Sequence, residues 1–242
     1  MTLAEILVSL FPDGHQVVLE HGLLSGRGTL PKAGPVAVIG VDGRAPVGVD
    51  EAARLARQVL DEVKGGGKTP ILVLIDSDSQ RMSKRDEMLG LNEFLAHLAK
   101  CLIHADTQGH PTIALLYGHT AAGAFIATAL ATRTLLALPG ADPAVMDLPS
   151  MSRVTKLSLE ILQEKAKSTP VFAPGLDNLA QTGAVAAVLD PQQSLAAQVD
   201  AVLQSQPAQH VDSRDQLGKE RRGRPLAADI AGRVHGLACA AV

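Results

Sequence analysis

The chain has 242 residues, 46% of them hydrophobic and 19% charged, with a formal net charge of −3. That is apolar material for a sizeable core, and it excludes a disordered or fibrous class; with aromatics at 2%, no Trp and one Tyr, platforms for stacking bases are missing, as is a broad cationic footprint for DNA. Cys101 and Cys239 cannot build a disulfide framework, no charged start precedes an apolar signal segment, and no apolar run approaches the ~20 residues of a membrane span, so a reducing, cytoplasmic setting is expected.

Leu3, Ile6, Leu7 and Leu10 stand at helical spacing and Pro12-Asp13-Gly14 closes them, predicting an N-terminal helix over 2–10. Strands follow at Gln16 to Glu20 and Pro35 to Asp42, the second a near-continuous apolar run of the kind buried on both sheet faces, with a Gly-rich turn or hairpin between them. Asp50 to Lys64 reads as an amphipathic helix stopped by Gly65-Gly66-Gly67, and Ile71 to Ile75 as a buried strand. A polar loop from Asp76 to Arg85 leads to a helix near Asp86 to Ala105. Strand Thr112 to Leu116, loop Gly118 to Thr120, an Ala-rich helix near Ala121 to Ala131 and strand Thr134 to Leu138 complete an alternation that implies right-handed crossovers and a covered parallel sheet. Beyond it come a helix over Met151 to Lys165, a short helix near Asn178, strand Val185 to Leu189 and helix Ser194 to Gln204. From about residue 206 the chain is polar and then Ala-rich, a C-terminal helical extension. No convincing linker divides the chain, so a single α/β domain over 1–242 is expected.

Familiar catalytic signatures are sparse. Gly67-Lys68-Thr69 looks like the end of a phosphate loop, but Glu62 stands where the pattern needs Gly, and the segment joins a helix to a strand rather than the reverse. No G-x-G-x-x-G follows a predicted strand, and no G-x-S-x-G elbow exists. His97, Cys101 and His104 share one helix face and Asp76, Asp78 and Asp86 cluster along the chain, but buried packing, solvated loops and helix caps account for both groups, and no metal site is assigned.

The informative segment is Tyr117-Gly118-His119-Thr120-Ala121-Ala122-Gly123-Ala124-Phe125, which follows a buried strand and opens a helix of small residues. Small side chains let a ligand reach the backbone, whose first-turn N–H groups are donors to an oxyanion or carboxylate; tight packing against the sheet is the alternative. His119 is either a structural hydrogen-bonder or an acid and base.

Gly118 to Ala127, together with Met146-Asp147-Leu148-Pro149-Ser150-Met151-Ser152-Arg153-Val154-Thr155, resembles the gamma subunit of biotin-independent malonate decarboxylase, within the crotonase-like carboxyltransferases. The likeness runs from about Gly34 to Asp190. Where biotin-dependent relatives carry Asp-Thr-Pro-Gly, this chain reads Asp76-Ser77-Asp78-Ser79, which favours the decarboxylase branch. The resemblance implies a crotonase-like ββα spiral, a homologous beta subunit as partner, and a malonyl thioester carried on the phosphopantetheine-type arm of an acyl-carrier protein. A separate acyl-carrier transferase subunit would exchange acetyl for malonate, and no cofactor would be held by this chain.

Decarboxylation leaves an enolate, for which the amides of Ala122, Gly123 and Ala124 are the candidate oxyanion donors, with His119 and Thr120 fixing the loop or moving the proton. Gly118, Ala121 and Ser150 are candidate substrate-binding residues. Lys219, Arg221, Arg222 and Arg224 form a basic cluster that either docks the carrier or is a charged turn. Carboxyl transfer to biotin, a non-catalytic scaffold half and a dinucleotide-binding domain are the competing classes.

Overall fold

The computed structural model describes residues 1–170, 173–205 and 212–241. Helix α1, Leu3–Leu10, starts at a reciprocal cap: Glu5 N–H donates to Thr2 Oγ1 at 3.3 Å, and Thr2 N–H to the Glu5 carboxylate at 2.7 Å. Ile6, Leu7 and Leu10 turn inward. Strands β1 (Val18–Glu20), β2 (Leu23–Leu30) and β3 (Gly34–Val47) form an antiparallel meander, so the Gly-rich stretch after Glu20 is itself mostly strand.

Helix α2, Val49–Lys64, buries Ala52, Leu55, Ala56 and Val59. Its first free amide, Val49 N–H, donates to Asp86 Oδ1 at 3.0 Å, and Asp86 also meets the Ser83 hydroxyl that caps the next helix. Those two bonds, the hydroxyl's above all, hold the Asp86 carboxyl below the usual carboxylate range. Strand β4 runs Ile71–Gln80, so half of the expected polar loop is strand. The expected helix near 86–105 is two, α3 (Lys84–Met88) and α4 (Leu91–Thr107), broken at Gly90, whose φ of 84° ends one helix and starts the other.

Then follow β5 (Thr112–Leu116), β6 (His119–Ala121), α5 (Ala122–Phe125) running on into a π-helical turn at Ile126–Leu130, β7 (Thr134–Ala137) and β8 (Asp142–Ala144). The remaining elements are α6 (Leu148–Thr155), α7 (Leu159–Ser168), α8 (Leu176–Gln181), β9 (Ala187–Val188), α9 (Leu195–Ser205), α10 (Arg214–Glu220) and α11 (Ala227–Ala240). Met151 to Lys165 is thus split as well: Lys156, with φ of 62°, ends α6, and the Ser158 hydroxyl caps α7. The expected onset of the C-terminal extension near 206 lies outside the described residues.

The main sheet has seven strands in the order β1-β2-β3-β4-β5-β7-β9, parallel from β3 onward, and β6 and β8 pair as a separate parallel two-stranded sheet. A main-sheet strand, a short strand in the second sheet and then a helix recur as β5-β6-α5 and β7-β8-α6. Sheet residues such as Val38, Leu74, Leu115 and Leu136 are fully buried, which is why these strands read as unbroken apolar runs.

A single domain over 1–242 is the sequence expectation; the chain forms two compact units. One comprises Met1–Val145 with Ala187 through α9, the other Met146–Ala186 with α10 and α11. In the second unit the Arg221 guanidinium donates to the carbonyls of Ala180, Val185 and Ala186, each at 2.7 Å, and Arg224 Nε to that of Thr182 at 3.0 Å. These satisfy acceptors at the end of α8 and beyond it. No helix among the described residues is long and apolar enough to cross a membrane.

Candidate functional site

The register of the parallel strands sets Val41, Ile75 and Leu116 side by side, so the next residues, Asp42, Asp76 and Tyr117, follow where the regular pairing ends: β5 stops and the β3–β4 register shifts. In open parallel sheets the carboxyl edge is where ligands bind. The Tyr117 hydroxyl donates to Asp42 Oδ1 at 2.6 Å. Burial first, then the Asp42 hydrogen bond and the Asp42 and Asp76 charges, push the phenol far above its ordinary value, so Tyr117 stays a donor.

The chain leaves β5 through Gly118, where a Cβ would stand 2.1 Å from Asp76 Oδ1. Glycine is required there because Asp76 occupies that space to accept the His119 N–H at 2.9 Å. His119 Nδ1 lies 3.0 Å from Asp142 Oδ2, across the β6-β8 pair. Thr120 is fully buried and its hydroxyl lies 2.8 Å from that of Ser77, also fully buried. Ala121 is extended and Ala122 takes φ of 50°, a left-handed conformation that costs a non-glycine residue strain. Gly123 N–H donates to Gln80 Oε1 at 2.8 Å. The turn from 118 to 124 is therefore pinned by the polar half of β4 through Asp76, Ser77 and Gln80.

Among the expected site residues, Gly118 through Ala124 come together in this turn. Within it, the Thr120 hydroxyl meets that of Ser77, His119 faces Asp142 through Nδ1, and the Gly123 amide has a side-chain acceptor in Gln80. Ser150 belongs to the second unit: its N–H donates to Asp147 Oδ1 at 2.7 Å and its hydroxyl accepts from Arg153 at 2.9 Å. Of the basic cluster, Arg221 and Arg224 are spent on backbone carbonyls, Lys219 pairs with Asp229 at 2.6 Å, and Arg222 is exposed. Cys101 is buried 3.6 Å from His97 Nε2, and burial raises its thiol above the ordinary range. No group of three or more His, Cys, Asp or Glu able to hold a metal occurs among the described residues.

Sequence reasoning missed Asp42, Ser77, Gln80 and Asp142 as parts of this site. The signal for Asp42 and Asp76 was available, since each is the first polar residue after an apolar strand in a parallel sheet. Gln80 and Asp142 reach the loop only through tertiary pairing.

Residues 43–238 match the profile of a family described as malonate decarboxylase gamma subunit. A curated relative, the malonyl-S-ACP:biotin-protein carboxyltransferase MADD of Malonomonas rubra, is 33% identical over 160 residues, which are 62% of this chain and 53% of that protein. The chain thus spans about half the length of the curated relative it matches. Among solved structures, a Pseudomonas malonate decarboxylase hetero-tetramer in complex with coenzyme A superposes with a TM-score of 0.77 at 22% identity, covering 96% of this chain and 98% of that one. The Pseudomonas malonate decarboxylase MdcD-MdcE hetero-dimer gives 0.68 at 24%, over 90% and 97% of the two chains. A transcarboxylase 12S chain gives 0.68 at 15%, over 86% of this chain and 42% of its own. The mixed α/β architecture with its parallel sheet is the fold of the crotonase-like carboxyltransferases, as the resemblance implied. With the profile covering most of its length, the chain belongs to the malonate decarboxylase gamma-subunit family.

Proposed function

We propose that this chain is one half of a malonyl-thioester decarboxylase, active in complex with a homologous beta subunit. The complex converts malonyl-S-acyl-carrier protein to acetyl-S-acyl-carrier protein and CO2, and an acyl-carrier transferase subunit recharges the carrier. The observation that carries the reading is the pinned small-residue turn at the carboxyl end of the parallel sheet, in a chain of this family.

When the carboxylate leaves as CO2, the electron pair of the broken C–C bond moves onto the thioester and charge develops on its oxygen. Fixed donors match that charge, and removing one such donor costs about 3 to 4 kcal/mol of barrier. The amides of Ala122 and Ala124 are the direct donors of the turn, that of Gly123 is engaged by the Gln80 carboxamide, and Gly118 and Ala121 keep the approach free of side-chain bulk. With Nδ1–H donated to Asp142, His119 has Nε2 left to take up a proton from solvent and, as the imidazolium, to deliver it to the carbon of the enolate. This chemistry needs no nucleophile, which fits the absence of a serine elbow from the sequence. Ser150 is assigned to substrate binding on the resemblance, and Arg222 is the exposed cation of the basic cluster that would meet an acidic carrier. The phosphopantetheine-type arm belongs to the carrier.

The test is CO2 release from malonyl-S-carrier protein by the purified two-subunit complex. Activity in the complex, absent from either subunit alone and insensitive to avidin, is expected; a complex that releases no CO2 overturns the reading. A second reading, carboxyl transfer to a biotinylated protein, is favoured by the name of the Malonomonas rubra relative. Avidin-sensitive turnover would select it.

A further inference from the structure

We propose that Gln80 is a catalytic residue of the decarboxylation just described, on which this inference rests: its carboxamide, fixed by Gly123, presents Nε2–H to an oxygen of the bound malonyl thioester. The Gly123 amide can only donate, so the end of the carboxamide 2.8 Å from it must be the oxygen. That fixes the orientation of a group whose two ends are otherwise interchangeable. Nε2 accordingly faces away from Gly123, and it meets Met82 Sδ at 3.8 Å, a weak acceptor on a side chain that is 77% exposed. A strong donor is thus held in one direction while bound to a poor partner.

Two elements hold the group. Gln80 ends β4, in register with Val47 of β3, and its side chain is clasped across 43 positions of sequence by the turn it pins. A Cβ at position 123 would lie 3.2 Å from Gln80 Oε1 and 3.0 Å from Leu95 Cδ1, so glycine at 123 makes room for the carboxamide. The sequence N–H to O=C–N–H is a short hydrogen-bond chain whose members polarise one another, and it carries the donor power of the Gly123 amide outward to Nε2. Preorganised side-chain amides serve as oxyanion donors. Gln80 moves no proton: the C–C bond breaks, CO2 departs, the thioester oxygen gains charge, and Nε2–H donates a hydrogen bond to it.

The reconstituted complex with the beta subunit tests this with malonyl-S-carrier protein as substrate. Gln80→Glu keeps an acceptor for Gly123 but removes the outward donor; Gln80→Leu removes both without adding charge. Each is expected to lower kcat about 100-fold or more while the unfolding temperature stays put. Either variant turning over at the parent rate overturns the inference and leaves the decarboxylase reading standing, and a faster Gln80→Leu shows instead that Gln80 merely blocks the Gly123 amide. In the same complex labelled with ¹⁵N-glutamine, acetyl-S-pantetheine is expected to shift the side-chain resonances of Gln80. Should the parent complex release no CO2, the decarboxylase reading falls, and unmoved Gln80 resonances would then remove Gln80 from thioester contact as well.

Discussion

Tyr117 is the chain's one tyrosine, and no tryptophan accompanies it, so a single phenol can be followed by absorbance. Its folded-state proton affinity is raised, chiefly by burial and then by Asp42. The unfolded chain releases the proton near 10 while the folded chain keeps it, so folding stability is undiminished below that pH and declines as pH rises above it. Alkaline titration is expected to show no phenolate signal until the chain unfolds, both events appearing together. A phenolate forming near 10 in a chain with native circular dichroism would contradict the buried Tyr117–Asp42 contact. The same residue shows what sequence offered: a lone Tyr after an apolar strand is visible, but its partner stands 75 positions away and emerges only when β3 and β5 flank β4.

At the scale of elements, the second sheet is tied to the first by the hydroxyl pair Ser77–Thr120, which joins β4 to β6 through two fully buried residues. Thr120→Val leaves the Ser77 hydroxyl buried without its partner and is expected to cost about 1 to 3 kcal/mol in urea unfolding. Adding Ser77→Ala should recover most of that, because two apolar groups need no partner. A double variant as unstable as the sum of the singles would show that the bond is not the source of the loss. Long apolar strands and amphipathic helices were legible because period and burial agree: Thr112–Leu116 falls where its five apolar-facing positions say. The short strands β6 and β8 were not, since their His119-Thr120-Ala121 and Asp142-Pro143-Ala144 carry no strand pattern and pair only with each other. The polar half of β4 was read as loop for the same reason, although Ala45 and Val47 of β3 give it partners. The small-residue turn itself was legible; the side chains that pin it came from those illegible strands.

For the molecule as a whole, α11 and the residue before it place Leu226, Ile230, Val234 and Leu237 on one face, at 66%, 58%, 60% and 64% exposure. A contiguous apolar stripe of this kind marks an interaction surface or an aggregation hazard. With a beta subunit as the proposed partner, Ile230→Lys combined with Val234→Lys is expected to leave helix content and unfolding temperature unchanged while reducing recovery of the two-subunit complex several-fold in co-purification. Equal recovery would remove α11 from that interface. The division into two units has a further consequence, for biosynthesis. Strand β7 pairs on one side with β5 and on the other with β9, but the whole of residues 146–186 is synthesised between them. A nascent chain therefore carries β7 as an open, apolar sheet edge until Ala187 and Val188 leave the ribosome, and a message truncated within that interval yields a product prone to pair edge to edge rather than a smaller working half.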